Sequence, residues 1–517
     1  MQPLIFDNLK VSYIAVLLAV AVLYTATCAP GVLWQDSGMY QYRIWHNDIE
    51  GKLGLALSHP LYHIIGIAVK YIPLGEFGYR INLISAVAGA FAVANLFLLL
   101  RLWLGRNLPA IMAAVTLATS WTMWQFSSIA EVYTLYLALF SCELIMLFEY
   151  IKTKRIGFLY LLAVFNGLAI ANHMWGAIAF VCYAVFLAVL LAKKQIRLKH
   201  LLIMSGLWVI CAAPYEYLII KKIIESGDFR ATMASALFGN RWQGDVLNVS
   251  LSGRLVKENL IFMAYNFPTP NVLFFFTGLY GLKKVSPGRI RDFSLRASNG
   301  AGRSFKNILL ALLLLFLVFA FRYTVPDRYA FFLPFYCVAS AFVGVGMYVF
   351  FKRYSRKLYA ILIFVFALLP LPVYEFVPLA AERMKIDLGT KRTIPYRNDY
   401  TYFLRPWQRG NDGPALFAKE ALSGAEEGAI IIADSTTVCP LWYAQEIKGV
   451  RPDVKVVSEH RSYKNPIAVP TADTIGQMTA ERAVYVVSPV AGYCPDYLLG
   501  RYDFIKAGPI YRVAERK

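Results

Sequence analysis

Charged residues are scarce in this chain of 517 residues, and acidic residues are scarcer than basic ones. Asp, Glu, Lys and Arg together make up 16% of the sequence, whereas 58% of the residues are hydrophobic. Soluble domains are about 45–50% apolar, so this composition is not that of a soluble protein. Several apolar runs are long enough, at roughly 18–25 residues, to cross a bilayer. The sequence therefore predicts a polytopic α-helical membrane protein.

The sequence also lacks the short motifs that bind nucleotides and metals. It contains no P-loop, no GxGxxG turn and no HExxH pair, and none of its seven cysteines has CxxC spacing. Cys439 and Cys494 either pair in an oxidising compartment or remain free thiols. We expect no obligatory cofactor. A divalent cation stays an option, but no residue pattern supports a metal site.

The positive charge is distributed in short loops. The 52 Lys and Arg residues outnumber the 32 Asp and Glu residues and give a formal net charge of +20. These basic residues flank apolar runs, as expected for loops on the cytoplasmic side of a membrane. The expected partner is therefore a lipid bilayer and not a nucleic acid.

About eleven transmembrane helices are predicted, the first being an uncleaved span over 11–29. Residues 59–73 are apolar but short, which favours an interfacial helix. With the N-terminus inside, the basic loops all fall on the cytoplasmic side of an inner or plasma membrane. The opposite, extracytoplasmic face then receives these polar residues: Asp36, His59, Glu131, Asn172, His173, Asp327 and Arg328.

The composition changes after about residue 380. Short apolar runs at 429–434, 454–459 and 483–489 are typical of buried strands, and the segment 440–447 between the first two favours a helix. We therefore predict a transmembrane catalytic domain over 1–380 and an extracytoplasmic α/β domain over 381–517. Asp434 ends the first of these strands, where α/β domains often bind ligands.

Asp36 lies in the polar loop that follows the first span, beside Trp34 and Gln35. A carboxylate just outside the bilayer can deprotonate a hydroxyl group or position a cation. A partly apolar environment would raise its pKa towards a useful value. The alternative is that Asp-Ser-Gly starts a helix.

Other polar residues of the same face have both functional and structural interpretations. His59, followed by Pro60 at a helix start, could bind a phosphate or simply lie at the interface. Glu131 either faces a cavity or interacts favourably with a helix N-terminus. Asn172 and His173 form either part of a site or a polar turn.

Several cations on this face could hold a lipid phosphate through charge-assisted hydrogen bonds. Arg241, Lys221 and Lys222 belong to one outer loop, and Arg322 and Arg328 flank another. An ion pair of Asp327 with Arg328 or a neighbour is the alternative. Arg80 either contributes to the same site or anchors the chain among lipid headgroups.

Five short motifs together resemble the GT-C superfamily of membrane glycosyltransferases, and within it the bacterial protein O-mannosyltransferase-like family. They are WQDSG (34–38), HPLY (59–62), RINLISA (80–86), AEVYTL (130–135) and GLAIANH (167–173). The segment 428–457 is similar to that family's C-terminal region. The family's usual His-Pro-Pro-Gly element reads His-Pro-Leu-Tyr here.

The resemblance implies transfer of a sugar, expected to be mannose, from a polyprenyl-phosphate donor to a protein Ser or Thr hydroxyl at the extracytoplasmic membrane face. Asp36 would then be the general base. The remaining substrate-binding residues would be His59, Arg80 and Arg241 at the lipid phosphate, and Glu131, Tyr133, Asn172 and His173 along the pocket.

Three other functions are compatible with the sequence. The same chemistry could act on a glycolipid or a cell-envelope glycan. A membrane transporter is the alternative from a different class, but transporters usually carry their charges near the bilayer midplane. A receptor without catalytic activity would not depend on Asp36.

Overall fold

Long apolar helices account for the chain up to Arg383, and a small α/β domain follows them. The computed structural model describes residues 8–282, 299–325, 327–354, 356–464 and 466–516, without the side chains of Arg241 and of residues 299–303. Part of the basic loop 283–306 therefore lies outside the described residues.

The helices of the first part are, in order, α1 (Leu9–Ala26), α2 (Gln35–Trp45), α3 (Pro60–Lys70), α4 (Phe77–Leu104), α5 (Asn107–Ala118), α6 (Trp121–Ser127), α7 (Tyr133–Thr153), α8 (Gly157–Asn172), α9 (Trp175–Ala192), α10 (Leu198–Ser226), α11 (Phe229–Phe238), α12 (Gln243–Val246), α13 (Gly253–Asn266), α14 (Phe274–Gly281), α15 (Asn299–Arg322), α16 (Leu333–Arg353), α17 (Lys357–Leu368) and α18 (Pro370–Arg383). Short 3-10 turns at Leu55–Leu57, Asn240–Trp242, Pro270–Leu273 and Arg328–Phe332 connect some of them.

Eight of the described helical segments are long and apolar enough to cross a membrane, which makes the chain a multi-pass membrane protein. Two shorter apolar helices, α5 and α8, accompany them. The predicted span over 258–282 is divided into α13 and α14 by a 3-10 turn at Pro270–Leu273. The predicted number of eleven spans is therefore not confirmed.

The segment after the first span contains a short helix, and its predicted position at the membrane interface stays a prediction. Helix α3 has eleven residues and is about 16 Å long at 1.5 Å per residue, too short for a hydrocarbon core of about 30 Å. Pro60 occupies its first turn, where a missing backbone N–H costs nothing. Helix α2 packs on α3 and also contacts α21 of the C-terminal domain, and we call this end of the bundle the domain end.

Helices α4 and α16 form the centre of the bundle. Of the residues in the apolar stretch of each span, 78% are buried in α4 and 94% in the span that contains α16. The corresponding share in α1 is 17%. The approach of α14 to α16 depends on Gly278 and Gly346, where a Cβ atom would overlap backbone atoms of the opposite helix. The central helices thus form the wall against which the site residues pack.

The second part contains α19 (Asp399–Leu404), α20 (Gly413–Ser423), β1 (Ile430–Ile432), α21 (Val438–Trp442), β2 (Lys455–Val457), α22 (Ile475–Glu481), β3 (Val484–Val486), α23 (Asp496–Leu499), β4 (Tyr502–Ala507) and β5 (Ile510–Glu515), with a π-helical turn at Tyr443–Ile447.

The strands form one sheet in the order β2-β1-β3-β5-β4. Strand β1 pairs in parallel with β2 and β3, and the hairpin β4–β5 adds an antiparallel edge. All three predicted strands and the helix after the first one are present. The terminal hairpin was not predicted, because the alternating exposure of β4 leaves no continuous apolar run.

The C-terminal domain packs directly on α2. Trp34 contacts Phe417 with ring centroids 5.4 Å apart, and Tyr42 stacks on Trp442 at 5.1 Å. Both tryptophans are almost fully buried. Aromatic pairs of this kind are worth about 0.5–1.5 kcal/mol beyond their burial, so the domain and α2 form one packed unit.

Cys439 and Cys494 do not pair. Both are buried free thiols, and they belong to different apolar clusters of the C-terminal domain. Of the two alternatives that the sequence left open, the structure has the free form.

Candidate active site

Asp36 lies in the first turn of α2, at the domain end. The residue before the helix is Trp34, which makes no side-chain cap, so Asp36 starts the helix without capping it. Its side chain is open to solvent although protein surrounds it closely enough to desolvate it. Asp36 therefore stands in a recess of the protein and not on its outer surface.

Glu131 is buried beside Asp36. It lies one residue before the N-cap of α7 and is 7% exposed. Ser37, the neighbour of Asp36, donates a hydrogen bond of 3.3 Å to its Oε1 atom, and Ser85 of α4 binds its backbone at both N and O. The two predicted carboxylates thus come together although 94 positions separate Ser37 from Glu131.

Asp327 is a third carboxylate at this recess. It is exposed and close enough to Asp36 and Glu131 for its charge to raise their pKa values. The predicted alternative of an Asp327–Arg328 ion pair is not what the structure contains. Arg328 is 5% exposed, pairs with Glu258 and donates to Asn259 at 3.0 Å, so its charge is engaged away from Asp327.

The carboxyls have different protonation properties. Desolvation, followed by repulsion from Asp327, raises the pKa of Asp36 to about 6. Burial raises the pKa of Glu131 well above its usual value, and the charges of Asp36 and Asp327 raise it further. The pKa of Asp36 therefore lies near neutral pH, whereas the environment of Glu131 favours its protonated form. When the pKa values of two neighbouring acids differ in this way, the two acids are suited to different roles.

The two predicted histidines stack on each other next to this cluster. The rings of His59 and His173 are 5.1 Å apart with 11° between their planes. His59 Nδ1 lies 2.8 Å from the carbonyl oxygen of Asn172, and His173 Nδ1 accepts from the Trp175 amide at 3.1 Å. His59 therefore carries its proton on Nδ1, and His173 carries its proton on Nε2.

Both histidines are neutral. Burial lowers the pKa of His59 to about 4 and that of His173 well below its usual value. A neutral His173 offers an Nε2–H donor, and a neutral His59 offers an acceptor at Nε2. A cationic His59 at a lipid phosphate is not supported by this environment, and its role in binding stays a prediction.

Aromatic side chains form the walls of the recess. Tyr40, Tyr133, Tyr329 and Tyr402 all lie within electrostatic reach of Asp36. Tyr133 stacks on Trp175 with centroids 5.1 Å apart. Tyr402 comes from α19, so the linker into the C-terminal domain closes one side of the recess. Binding pockets are typically lined in this way, by aromatic faces with a few polar groups.

The other predicted residues, Asn172, Arg80 and Arg241, show no contact with the carboxylates in the described part of the structure. Asn172 is fully buried and donates to the Val132 carbonyl at 3.0 Å, so it supports His59 from behind. Arg80 donates to the carbonyls of Lys70 and Ile72 at the end of α3. Arg241 belongs to a 3-10 turn, and its side chain lies outside the described part. Their contact with substrate stays a prediction.

Sequence reasoning missed Asp327 as a site residue, and it also missed Arg43. Arg43 is 4% exposed, donates to the Ser58 carbonyl at 2.9 Å and is close enough to His59 to lower its pKa. It lies seven positions after Asp36, and residues at that spacing share one helix face. That spacing is the signal that could have identified Arg43.

Among the residues that the structure describes, no group of three or more His, Cys, Asp or Glu side chains is arranged to hold a metal ion. Asp36, Glu131 and Asp327 interact through their charges but do not form a ligand cage. Dependence on a divalent cation is untested.

Part of the chain is similar in sequence to one family of known proteins. Residues 55–197 match the model of the protein O-mannosyl-transferase TMEM260 N-terminal domain. The protein O-mannosyl-transferase TMEM260 of Mus musculus is 25% identical over 221 residues, which cover 41% of this chain and 30% of the mouse protein. The resemblance predicted from the motifs is thereby confirmed, and the match spans about a third of the relative's length.

The fold as a whole is similar to that of a solved membrane protein. ArnT from Cupriavidus metallidurans bound to undecaprenyl phosphate aligns with a TM-score of 0.59 over 98% of this chain and 99% of that one, at 14% identity. The apo state of the same protein gives 0.58. The chain therefore has the GT-C fold, with a helical membrane part and an α/β domain at one end.

Proposed function

We propose that this GT-C membrane protein is a glycosyltransferase that moves a sugar, mannose in the first instance, from a polyprenyl-phosphate donor to a Ser or Thr hydroxyl of a protein. The reaction takes place at the extracytoplasmic membrane face, where the domain end lies. Support comes from the name of the mouse relative, from the undecaprenyl phosphate bound to ArnT and from the chemistry of the recess.

The observation that carries the proposal is the accessible carboxylate of Asp36. It is exposed in the recess at the domain end, and its pKa is raised to about 6. A general base works best when its pKa is near the working pH, since it is then both ionised and basic. Glu131 is buried and its pKa is raised well above the usual value, so it is less suited to that function.

In the proposed step, the acceptor hydroxyl gives its proton to a carboxylate oxygen of Asp36 while its oxygen attacks the anomeric carbon of the sugar. The bond from that carbon to the phosphate oxygen breaks, and polyprenyl phosphate leaves with both bonding electrons. The configuration of the anomeric carbon is inverted. Protonated Glu131 and the Nε2–H group of His173 are donors for oxygen atoms of the bound sugar or phosphate.

The leaving phosphate requires positive charge nearby. Arg43 is a described cation close enough to His59 and His63 for its charge to lower their pKa values. Arg80 and Arg241, the cations proposed from the sequence, lie towards α3 and in the turn after α11. We propose that the phosphate is bound on this side of the recess, between the histidines and the segment around α11.

The acceptor enters from the opposite side. Tyr402 and the first turn of α21 border Asp36 there, and the pKa of Tyr402 is raised, first by burial and also by the charges of Glu131 and Asp36. The polar groups lie at one end of the bundle, which favours transfer at a membrane face over transport through it.

The experiment is in vitro transfer from synthetic polyprenyl-phosphate mannose to a panel of secreted protein acceptors and one glycolipid acceptor. Wild type is compared with Asp36→Asn, which preserves shape but removes the base. Asp503→Asn is the matched control, because Asp503 is an exposed residue of β4 whose pairing with Arg516 is at the surface.

Mannosylation of a protein by wild type and Asp503→Asn, with a loss of at least about 10²-fold in Asp36→Asn, is the expected result. Transfer only to the glycolipid would show that the acceptor is a glycolipid and not a protein. Full activity in Asp36→Asn would overturn the assignment of the base. Absence of transfer and of donor binding would favour the transporter.

A further inference from the structure

Gln35, the residue immediately before Asp36, has a left-handed backbone. Its φ angle is 51°, a conformation that side-chain-bearing residues rarely adopt and that surrounding structure must enforce. Its side chain is exposed, so packing of the side chain does not enforce it. The enforcing contact is at the backbone, where the Gln35 amide donates to the carbonyl of Thr436 at 3.2 Å.

Thr436 belongs to the turn after β1, residues Asp434–Thr437, which we call the Asp434 turn. Strand β1 pairs with β2 on one side and β3 on the other, so the chain reverses its direction of winding there. In open α/β sheets ligands bind beyond the carboxyl end of such a strand. Here that position is occupied by the start of α2, the helix of Asp36.

The Asp434 turn is held rigidly. Oδ1 of Asp434 accepts from the Thr436 amide at 2.8 Å, and Oδ2 accepts from the Thr437 hydroxyl at 3.3 Å. The guanidinium of Arg392 lies 2.7 Å from Oδ2, with side-chain exposures of 6% for Arg392 and 9% for Asp434. The other face of Arg392 covers Tyr493 at 4.1 Å. Buried charges of this kind are strongly confined by their partners.

A second contact fixes the distance between the two elements. A Cβ atom on Gly38 of α2 would lie 3.0 Å from the Cβ of Cys439 in α21 and would overlap the Leu33 carbonyl. Gly38 thus lets α2 approach α21 more closely than any other residue would. Together the glycine contact and the Gln35–Thr436 hydrogen bond determine where the first turn of α2, and with it Asp36, is placed.

We propose that Asp434 is a positioning residue for Asp36: it holds the turn whose Thr436 carbonyl keeps Gln35 left-handed and directs the Asp36 carboxylate into the recess. The proposal rests on the proposed function in taking Asp36 as the base. A displacement of about 1 Å at a reacting group can cost on the order of 10²-fold in rate. The α/β domain therefore acts on the reaction through the backbone of α2.

The test uses Asp434→Asn in the full-length protein, in the wild-type background and in Gln35→Gly. Asparagine keeps the acceptor for Thr436 but loses the charge that confines Arg392. Glycine adopts the left-handed conformation at no steric cost, so it removes the need for enforcement. Thr437→Val, which deletes one hydrogen bond, is a milder variant should Asp434→Asn not fold, and Asp503→Asn is the control in the same domain.

The expected result is a fall of about tenfold in kcat for Asp434→Asn with the KM for the donor unchanged, and a clearly smaller fall in the Gln35→Gly background. A purely structural role would lower the amount of folded protein equally in both backgrounds. Equal loss of kcat in the two backgrounds, or no loss in Asp434→Asn, would overturn the proposal.

Hydrogen–deuterium exchange separates this inference from the proposed function. Amides 36–40 should exchange faster in Asp434→Asn and in Thr437→Val, and at the wild-type rate in Asp503→Asn, whatever substrate the protein uses. Unchanged exchange in folded Asp434→Asn would refute the positioning role even if transfer is observed. Faster exchange without transfer by wild type would refute only the proposed function.

Discussion

His59 and His173 stack face to face at 5.1 Å and hold their protons on different nitrogens. The Asn172 carbonyl accepts from Nδ1 of His59, and the Trp175 amide donates to Nδ1 of His173. The backbone of His59, directly before Pro60, is moreover in the left-handed region, with φ 49°. One chain segment thus fixes both rings, so that the pair presents one donor and one acceptor.

His173 is expected to bind substrate as a neutral donor. His173→Ala should reduce kcat/KM by about 10²-fold, the usual cost of removing one hydrogen-bond donor from a developing anion. His173→Gln retains an N–H donor and should lose less. Steady-state transfer kinetics of the two variants provide the measurement, and equal losses would show that the donor is unimportant.

The pH profile should reflect Asp36. Because the pKa of Asp36 is raised to about 6, it is protonated and inactive below that pH, and kcat/KM should rise as pH increases through about 6. Asp327→Asn removes one of the causes of the raised pKa. The rising limb should therefore move to lower pH, measured as kcat/KM from pH 4 to pH 8. A limb that stays in place would mean that Asp327 does not act on the base.

Transfer activity should tolerate replacement of Glu131 by a neutral amide. Burial and two neighbouring carboxylates raise its pKa well above the usual value, which favours the neutral acid. Glu131→Gln is neutral and similar in shape, and it should retain most of the transfer activity, whereas Asp36→Asn should not. If Glu131→Gln were as inactive as Asp36→Asn, Glu131 would have to act as an ionised group.

The contact between α14 and α16 should tolerate no side chain. A methyl group on Gly346 would overlap the carbonyl of Phe274, and overpacking of this kind costs about 1–3 kcal/mol. Gly346→Ala should lower the thermal midpoint in detergent. Gly206→Ala is the control, since a Cβ atom there meets nothing within 4 Å, and a comparable loss in that variant would contradict the packing argument.

The spans, the parallel strands and the polar segment around Asp36 could be predicted from the sequence because they depend on local composition. The bilayer selects long apolar helices, so most spans follow from hydrophobic runs, and buried parallel strands such as β1 are continuous apolar segments. The polar segment around Asp36 stood out for the same reason. Charge distribution predicted the sidedness, which remains a prediction, and the motifs predicted the GT-C fold.

Other features were decided only by packing. An ion pair of Asp327 with Arg328 was one alternative from the sequence, but Arg328 pairs with Glu258, and Asp327 lies close enough to Asp36 to raise its pKa. Likewise, nothing local indicates that Thr436 would hold the backbone of Gln35. Local sequence determines which segments are helices, strands and polar loops, because it sets backbone preference and hydrophobicity. Tertiary structure decides which charged groups meet, because a buried charge takes whichever partner close packing leaves within reach.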